Sequence, residues 1–575
     1  MSKSSTCQLD SEIVSATDIS VMGSVPRRSF LRGAGLAAAG LTCTDFLSHF
    51  LNCGLPNDAR AGELAAGADK AADNPRFLIY WFIEGGWAGY DMFNPVVTGN
   101  NVVERLDNIS EERYRVLKWG EENYGIKVHG NIRHGFLATA GQDLFKDMAV
   151  LSSMQTSGTG HSSERLRAHL GTYKFRNTDE RQEDERSVMQ AFAEVCGQPY
   201  LLPNLSWHWW LSDGELNEVQ YTGRRGYYHA LGPRHAHTIY AGTPARLKKF
   251  LLRTQEHSGS EIGRTVESFL DKAHNEFLND KNIHAVKSYH AARSIYLELQ
   301  QQGFRLDRAT LLKLFTDPAL REEFKVKPKD ELITYRSVNG NKARSKFAPN
   351  TNVQAMMTYE LMRAGLSCGF FIESRDVRRF DSHYSRNRLW DKDLKPIGMP
   401  DQTQMMKEDL WDPLHAFVAR LKNTEYRDTG SSFYDHTNIV LTSEFGRSLH
   451  GNVDAILKKE IDELMKESEI GGQDICAHWK VSSCAFLGSK VKGDSQFGAV
   501  GEKTLMPIPL LPDGSLDPNY DPVTGELKKD RKKHPKSSIP NHGDVYSTAL
   551  YLNDINPNGR GRNERGPLTF VKRSG

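Results

Sequence analysis

An α/β fold, with a mixed and mostly parallel sheet sandwiched by helices, is predicted by three features of this sequence. Short, largely apolar runs recur at Phe77 to Ile83, Met148 to Ser153, Phe370 to Ile372, Ile439 to Leu441 and Val481 to Leu487, the first of them unbroken. Such runs read as strands buried on both faces. Stretches of helical spacing separate them, and helix–strand alternation implies crossover connections. Several runs also end abruptly in Gly, Ser, Glu or Asp. In open α/β sheets, ligands sit beyond the carboxyl ends of the strands, so those endings are where chemistry is expected.

Composition bounds the rest. The chain has 575 residues, enough for one large domain or two to four ordinary ones. Hydrophobic residues make up 38% and charged residues 25%, as in soluble globular proteins. A net charge of +2 argues against a dedicated nucleic-acid binder.

The first sixty or so residues do not read as fold. Pro26-Arg27-Arg28-Ser29-Phe30-Leu31-Arg32 is followed by a small, mostly apolar run from Gly33 to Leu41, charge-free from Gly33 onward. That run is far short of the ~20 apolar residues a spanning helix needs. Basic region, short apolar core and small residues together make an export signal. Paired arginines make it similar to a twin-arginine signal, the alternative being a chance Arg pair in a disordered tail. Ala59-Arg60-Ala61 is a plausible cleavage site, and Leu41-Thr42-Cys43 is a weak lipoprotein match. The expected organisation is a signal peptide over 1–61, a flexible leader over 62–75 and the mature domain over 76–575. Its partner in export is the twin-arginine translocase and its location is periplasmic or extracellular. No later apolar run approaches membrane length, so no transmembrane anchor is expected in the mature chain. Seven cysteines include no Cys-x-x-Cys pair, which argues against a thiolate zinc site. A disulfide is permitted outside the cytoplasm, with Cys476 and Cys484 the nearest pair.

In chain order, the first strand runs into Glu84-Gly85-Gly86 and then Asp91. The glycines let backbone amides turn toward whatever lies at the strand tip. Glu84 and Asp91 are candidate metal or substrate ligands, or Asp91 caps a tight turn. The second strand leads to Gly160-His161-Ser162-Ser163-Glu164 and a helical pattern with Leu166 and Leu170. Ser162 or Ser163 at a helix start is a place for an anion or a hydroxyl nucleophile, and equally a simple N-cap. Ser206-Trp207-His208-Trp209-Trp210 is an aromatic cluster of core or pocket-wall type. His229, His235 and His237 follow with no strict ligand spacing.

Residues 244–345 change texture to long charged helical segments, read as a helical insertion. Val353, Met356, Met357, Glu360, Leu361 and Ala364 keep helical spacing, and Gly365 is a natural stop. Beyond the strand at Phe370, Asp381 and His383 fall on one side of an extended chain, a pair suited to a divalent cation or to a satisfied surface contact. Met406, Leu410, Leu414, Phe417 and Leu421 form one amphipathic helix face. The strand at Ile439 ends in Thr442-Ser443-Glu444-Phe445-Gly446-Arg447, with Gly446 expected to turn the chain. Glu444 either projects into a cleft or pairs with Arg447 at the surface. Cys476-Ala477-His478-Trp479 precedes the last apolar strand. Residues 498–541 are rich in Pro, Gly, Lys and Asp and read as a loop insertion whose basic run, Lys528 to Lys536, is solvated. Asp544 to Leu552 is a final helix.

In order, Gly85-Gly86…Asp91-x-Phe-Asn-Pro, Ser153-Met154…His161, Asp381-x-His383, Glu444-Phe445-Gly446-Arg447, His478-Trp479 and His542-x-Asp544-Val545-Tyr546 resemble one bacterial family. It is the twin-arginine-exported family catalogued as domain of unknown function fifteen-oh-one, itself similar to the alkaline phosphatase and sulfatase superfamily. The resemblance implies an alkaline-phosphatase-like fold in which strand-tip Asp and His residues hold one or two divalent metals. It also implies a hydroxyl or modified Cys at a helix start that attacks phosphorus or sulfur. By resemblance, Asp381, His383, Glu444 and His478 fall on metal-ligand positions, Asp91 or Glu84 near the first metal carboxylate, and Ser162 near the nucleophile. His161 and Arg447 complete the implied catalytic set. The implied cofactor is Zn, Ca, Mg or Mn, and the implied substrate is a small-molecule or polymer phosphate or sulfate ester. The chain departs from the pattern in three places. Glu444-Phe445 stands where the superfamily usually has Asp-His, Ala477 precedes His478 where the family often has Asp, and there is no Cys-x-Pro-x-Arg sulfatase signature. The expected function is an exported metal-dependent ester hydrolase, with a non-catalytic exported binding or scaffold protein on the same fold as the alternative.

Overall fold

Phe77–Ile83 forms β1, seven residues that are all buried. A strand apolar on both faces needs cover on both, and β1 has it. The Tyr80 hydroxyl donates to Ala168 O on one face, while Trp81 meets Phe417 edge-on on the other. Neighbouring residues of a strand point to opposite sides, so these contacts mark helices above and below the sheet.

The computed structural model describes residues 75–95, 126–158, 160–172, 187–197, 200, 202, 204–207, 238–240, 243–257, 308–331, 335–338, 341–346, 349–374, 404, 406–447, 478–502, 504–558 and 565–574. The expected signal peptide over 1–61, nearly all of the leader, His229, His235, His237, Asp381, His383, Cys476 and the helical segments between 258 and 307 lie outside the described residues.

The strands after β1 are β2 (Lys127–His129), β3 (Ile132–His134), β4 (Met148–Gln155), β5 (Asn204–Ser206), β6 (Thr238–Tyr240), β7 (Tyr335–Val338), β8 (Asn341–Lys346) and β9 (Gly369–Ser374). They continue with β10 (Thr437–Thr442), β11 (Gly446–Arg447), β12 (His478–Trp479), β13 (Val481–Gly488) and β14 (Ser495–Phe497). Helices are α1 (His161–Leu170), α2 (Val188–Cys196), α3 (Pro244–His257), α4 (Arg308–Lys313), α5 (Pro318–Glu323), α6 (Thr351–Arg363), α7 (Asp412–Asn423) and α8 (His542–Leu552).

One eight-stranded sheet has the order β14-β4-β13-β10-β1-β9-β5-β6. Within it β13 runs antiparallel to both β10 and β4, and the other adjacent pairs are parallel. This is the mixed, mostly parallel α/β sheet that the apolar runs predict. β1, β4, β9 and β10 therefore all end at the same edge. There Phe82 lies beside Thr442 and Ile83 beside Ser374. Helices α1, α2 and α8 pack together on the Tyr80 side, and α6 and α7 on the Trp81 side.

Three local outcomes differ from expectation. Region 244–345 is not helical throughout, since β7 and β8 form an antiparallel hairpin at its end. The helix expected from Met406 to Leu421 is split into a π-turn over Lys407–Trp411 and then α7. Pro413 has no N–H to give to Asp409 O four residues back, and Ser374 Oγ donates to that carbonyl instead. Gly446 does not turn the chain. It pairs with Trp479 in the short β11–β12 ladder, and a Cβ there would lie 1.8 Å from Val481 O. Glycine is needed for that close approach. Cys484, buried in β13, is not in a disulfide.

Candidate functional site

The shared strand edge brings together residues far apart in sequence. β10 ends at Thr442, and the chain continues inward so that Ser443, Glu444 and Phe445 are all fully buried. A buried carboxylate is costly unless it is hydrogen-bonded. Glu444 is well supplied. Its Oε1 accepts from Gly85 N at 2.8 Å and from His161 Nδ1 at 2.8 Å, and its Oε2 accepts from Ser443 Oγ at 3.0 Å. Ser443 Oγ in turn accepts from Trp87 N at 3.2 Å. Burial works against ionisation here, yet the His161 hydrogen bond and the charges of His161 and Arg165 bring the carboxyl down to about 2. Glu444 is thus an anion at neutral pH.

His161 is the first residue of α1, which is entered from an extended Gly160 without a side-chain cap. Its side chain is 31% exposed against 0% for Glu444. With Nδ1 engaged by Glu444, Nε2 is the other ring nitrogen. Phe445 and His478 wall one side of this imidazole. His161 lies 4.8 Å from the Phe445 ring and 4.5 Å from the His478 ring, which are themselves 4.4 Å apart.

The strand-tip glycines take unusual backbone conformations, with φ of 113° at Gly85 and 74° at Gly86. These turn Gly85 N toward Glu444 and both carbonyls toward Arg447, whose Nε donates to Gly86 O at 3.0 Å and whose Nη2 donates to Gly85 O. A Cβ on Gly86 would come within 2.3 Å of the Phe445 ring. Arg447 is 1% exposed, with its guanidinium 5.5 Å from the Phe445 ring centre. Behind the pair, Arg165 on α1 forms a buried ion pair with Glu84, tying the helix to the tip of β1. His542, at the start of α8, donates Nε2–H to Glu444 O at 2.9 Å. Burial lowers its pKa to about 4 despite the opposing pull of Glu444, so it is neutral at pH 7.

Of the residues singled out from sequence, Glu444, His161 and His478 come together, with Arg447 close behind them. Ser162 is the second residue of α1 and so adjoins His161 in the chain; Gly160, not a serine, precedes the helix. Glu84 is engaged by Arg165. Asp91 lies in a 3-10 turn whose backbone packs against Gly135. Asp381 and His383 follow β9, which ends at this edge, but lie outside the described residues. Among the described residues, no group of three or more His, Cys, Asp or Glu is placed to hold a metal ion. Three protein hydrogens already go to the Glu444 carboxylate, two to Oε1 and one to Oε2, which leaves one of its acceptor sites open. His542, Arg165 and Ser443 were not singled out as site residues from sequence. Only His542 carried a readable signal, since Asn541 and Asp544 form a capping box around it.

A scan against protein families finds no match to this chain, and a search of curated proteins finds none. Two solved structures that match are enzymes. One is the lipoteichoic acid synthase LtaP from Listeria monocytogenes, with 9% identity, a TM-score of 0.35, and 92% of this chain and 82% of that chain covered. The other is the phosphonate monoester hydrolase SpPMH from Silicibacter pomeroyi, with 12% identity, a TM-score of 0.27, and 86% of this chain and 76% of that chain covered. Likenesses this distant leave the chemistry to be argued from the residues above.

Proposed function

We propose that this chain is an exported hydrolase of phosphate or sulfate esters whose acid–base group is His161, held by Glu444. The observation that carries the reading is the bond from His161 Nδ1 to the buried Glu444 carboxylate. With Nδ1–H held by Glu444, Nε2 is the ring atom that would take a proton from water or from a hydroxyl nucleophile, for which Ser162 is the candidate. The imidazolium that forms is stabilised by the adjacent Glu444 charge, as in other oriented His–carboxylate pairs. The positive end of α1 favours an anionic ester at the same place. Delivery by the twin-arginine translocase, and a periplasmic or extracellular location, belong to the same proposal and rest on residues 26–61.

Metal dependence is a separate part of it. A divalent ion polarises an ester oxygen when bound. Asp381 and His383, with His478, are the residues to hold it, and the proton transfer at His161 does not require it.

The test is turnover of aryl phosphate and aryl sulfate by purified protein, with Zn, Ca, Mg and Mn supplied in turn. His161→Gln and Glu444→Gln should each lower kcat by about 10²- to 10⁴-fold. Full activity in His161→Gln overturns the assignment. A second reading, an exported binding or scaffold protein, is favoured by Phe445, which stands in the sequence where the resembled superfamily usually carries a His. No turnover by wild-type protein with any of the four ions decides for that reading.

A further inference from the structure

The region between β14 and α8 is a run of hydrogen-bonded turns that presents charge in a fixed arrangement. Asp517, 1% exposed, accepts from Asn519 N, His534 N and Ser537 Oγ at 3.0, 2.8 and 2.6 Å. Asn519 Nδ2 donates to Lys532 O at 3.0 Å, and Lys528 N donates to Asn519 O at 2.9 Å. A bridge joins Tyr520 to Leu527, and Asp521 Oδ1 caps the tip between them by accepting from Val523 N and Thr524 N at 2.9 and 2.7 Å. On this frame, Lys528 to Lys536 carries six Lys and Arg residues and one acid, Asp530, all exposed; Asp521 and the exposed Glu526 adjoin the run, and Lys528 Nζ donates to Pro518 O at 2.9 Å. The whole chain has a net charge of only +2, so this is a strong local concentration. Beside it stand two exposed branched side chains, Val523 at 55% and Leu527 at 44%.

We infer that the face built by residues 521–536 docks on an anionic lipid surface, its cations at the headgroups and Val523 and Leu527 at the boundary of the acyl chains. Clusters of four to eight Lys and Arg are attracted by anionic leaflets, and exposed apolar side chains adjoining them in the chain add burial at the interface. A single-stranded nucleic acid is a poorer fit, because the run from Lys528 to Lys536 contains no Phe, Tyr or Trp and only His534 as a ring on which a base could stack. The turns hold the face ready, so docking requires little ordering of the chain. The inference is independent of the His161 chemistry.

The experiment is sedimentation of the full chain with vesicles of phosphatidylcholine, with and without about one third phosphatidylglycerol, at about 0.1 M salt. Binding is expected only to the anionic vesicles and should weaken as salt rises. Combined Lys528→Gln, Lys529→Gln, Lys532→Gln and Lys533→Gln should lower partitioning by about five-fold per cation, on the order of several hundred-fold together. Val523→Ser with Leu527→Ser should lower it by about ten-fold more. These positions are exposed, and unchanged thermal unfolding of each variant establishes that the fold is intact. Equal binding to uncharged vesicles overturns the inference, as does full binding by the four-lysine variant. Binding to soluble heparin as tight as to vesicles, with no effect of the Val523 and Leu527 changes on vesicle binding, also overturns it, in favour of attraction to any polyanion.

Discussion

Replacing Glu444 by Gln removes one charge and keeps the shape. The amide oxygen still accepts from Gly85 N and His161 Nδ1, and the amide NH₂ faces Ser443 Oγ, a hydroxyl that can accept. What disappears is the preference of this dry place for an ionised group, which lowers the carboxyl from 4.5 to about 2. At about 1.4 kcal/mol per unit, the anion contributes on the order of 3 kcal/mol to folding at neutral pH. The folded pKa lies below the unfolded one. The contribution is therefore complete above pH 4.5 and fades as pH falls toward 2. Urea unfolding of wild type and Glu444→Gln, stepped from about pH 7 to about pH 2, reads this directly. The difference in stability should hold near 3 kcal/mol down to about pH 5 and then shrink toward zero. Other carboxylates titrate in the same range, but they are common to both proteins and cancel. A difference that stays flat to the lowest pH, or one under about 0.5 kcal/mol at neutral pH, refutes the argument that a charged Glu444 stabilises this strand edge.

Two further substitutions probe the same edge. Gly86→Ala combines a φ of 74° with a Cβ 2.3 Å from the Phe445 ring, and should cost about 2–4 kcal/mol in chemical denaturation. In a Phe445→Ala background, only the backbone part, about 1–2 kcal/mol, should remain; an unchanged cost in the double-mutant cycle rejects the ring clash as its cause. His542 is held near pKa 4 by burial, against 6.5 in the unfolded chain. Its neutral form stabilises the fold above pH 6.5, and that contribution is lost as pH falls toward 4. His542→Asn keeps a donor for Glu444 O without a titrating group, so its stability should fall less than wild type across that window. Parallel pH profiles reject the assignment.

The long central strands were legible because a sequence apolar on both faces has few other uses. β1, β9 and β10 follow from Phe77 to Ile83, Phe370 to Ile372 and Ile439 to Leu441. Three-residue strands such as β5, β6 and β14 are too short to show a period, and exist as strands by pairing with a neighbour. The direction of β13 was equally unreadable, because an apolar run has no polarity. At the site, Glu444 and His161 were each visible as residue types at element ends. Their pairing, across 283 positions of sequence, comes only from the sheet order that brings β4 and β10 to one edge. Local spacing left two readings, Glu444 projecting into a cleft or pairing with Arg447 at the surface. The guanidinium goes to the carbonyls of Gly85 and Gly86, which two consecutive positive φ values turn toward it.

The contrast in exposure between the two partners is what the proposed catalytic role requires and a purely structural latch does not. A latch between α1 and the strand edge gains nothing by leaving its imidazole open to water, because exposure screens the interaction. Burying both partners is costly unless every polar atom is satisfied. Here the carboxylate is fully dry and triply hydrogen-bonded, while the imidazole that caps it is about one third exposed at the start of a helix. That division places the anion on the inner side and the partly exposed imidazole on the outer side. Phe445 serves the same end. Its ring excludes water from the inner side of His161 and forces glycine at position 86, whose carbonyl helps to hold Arg447.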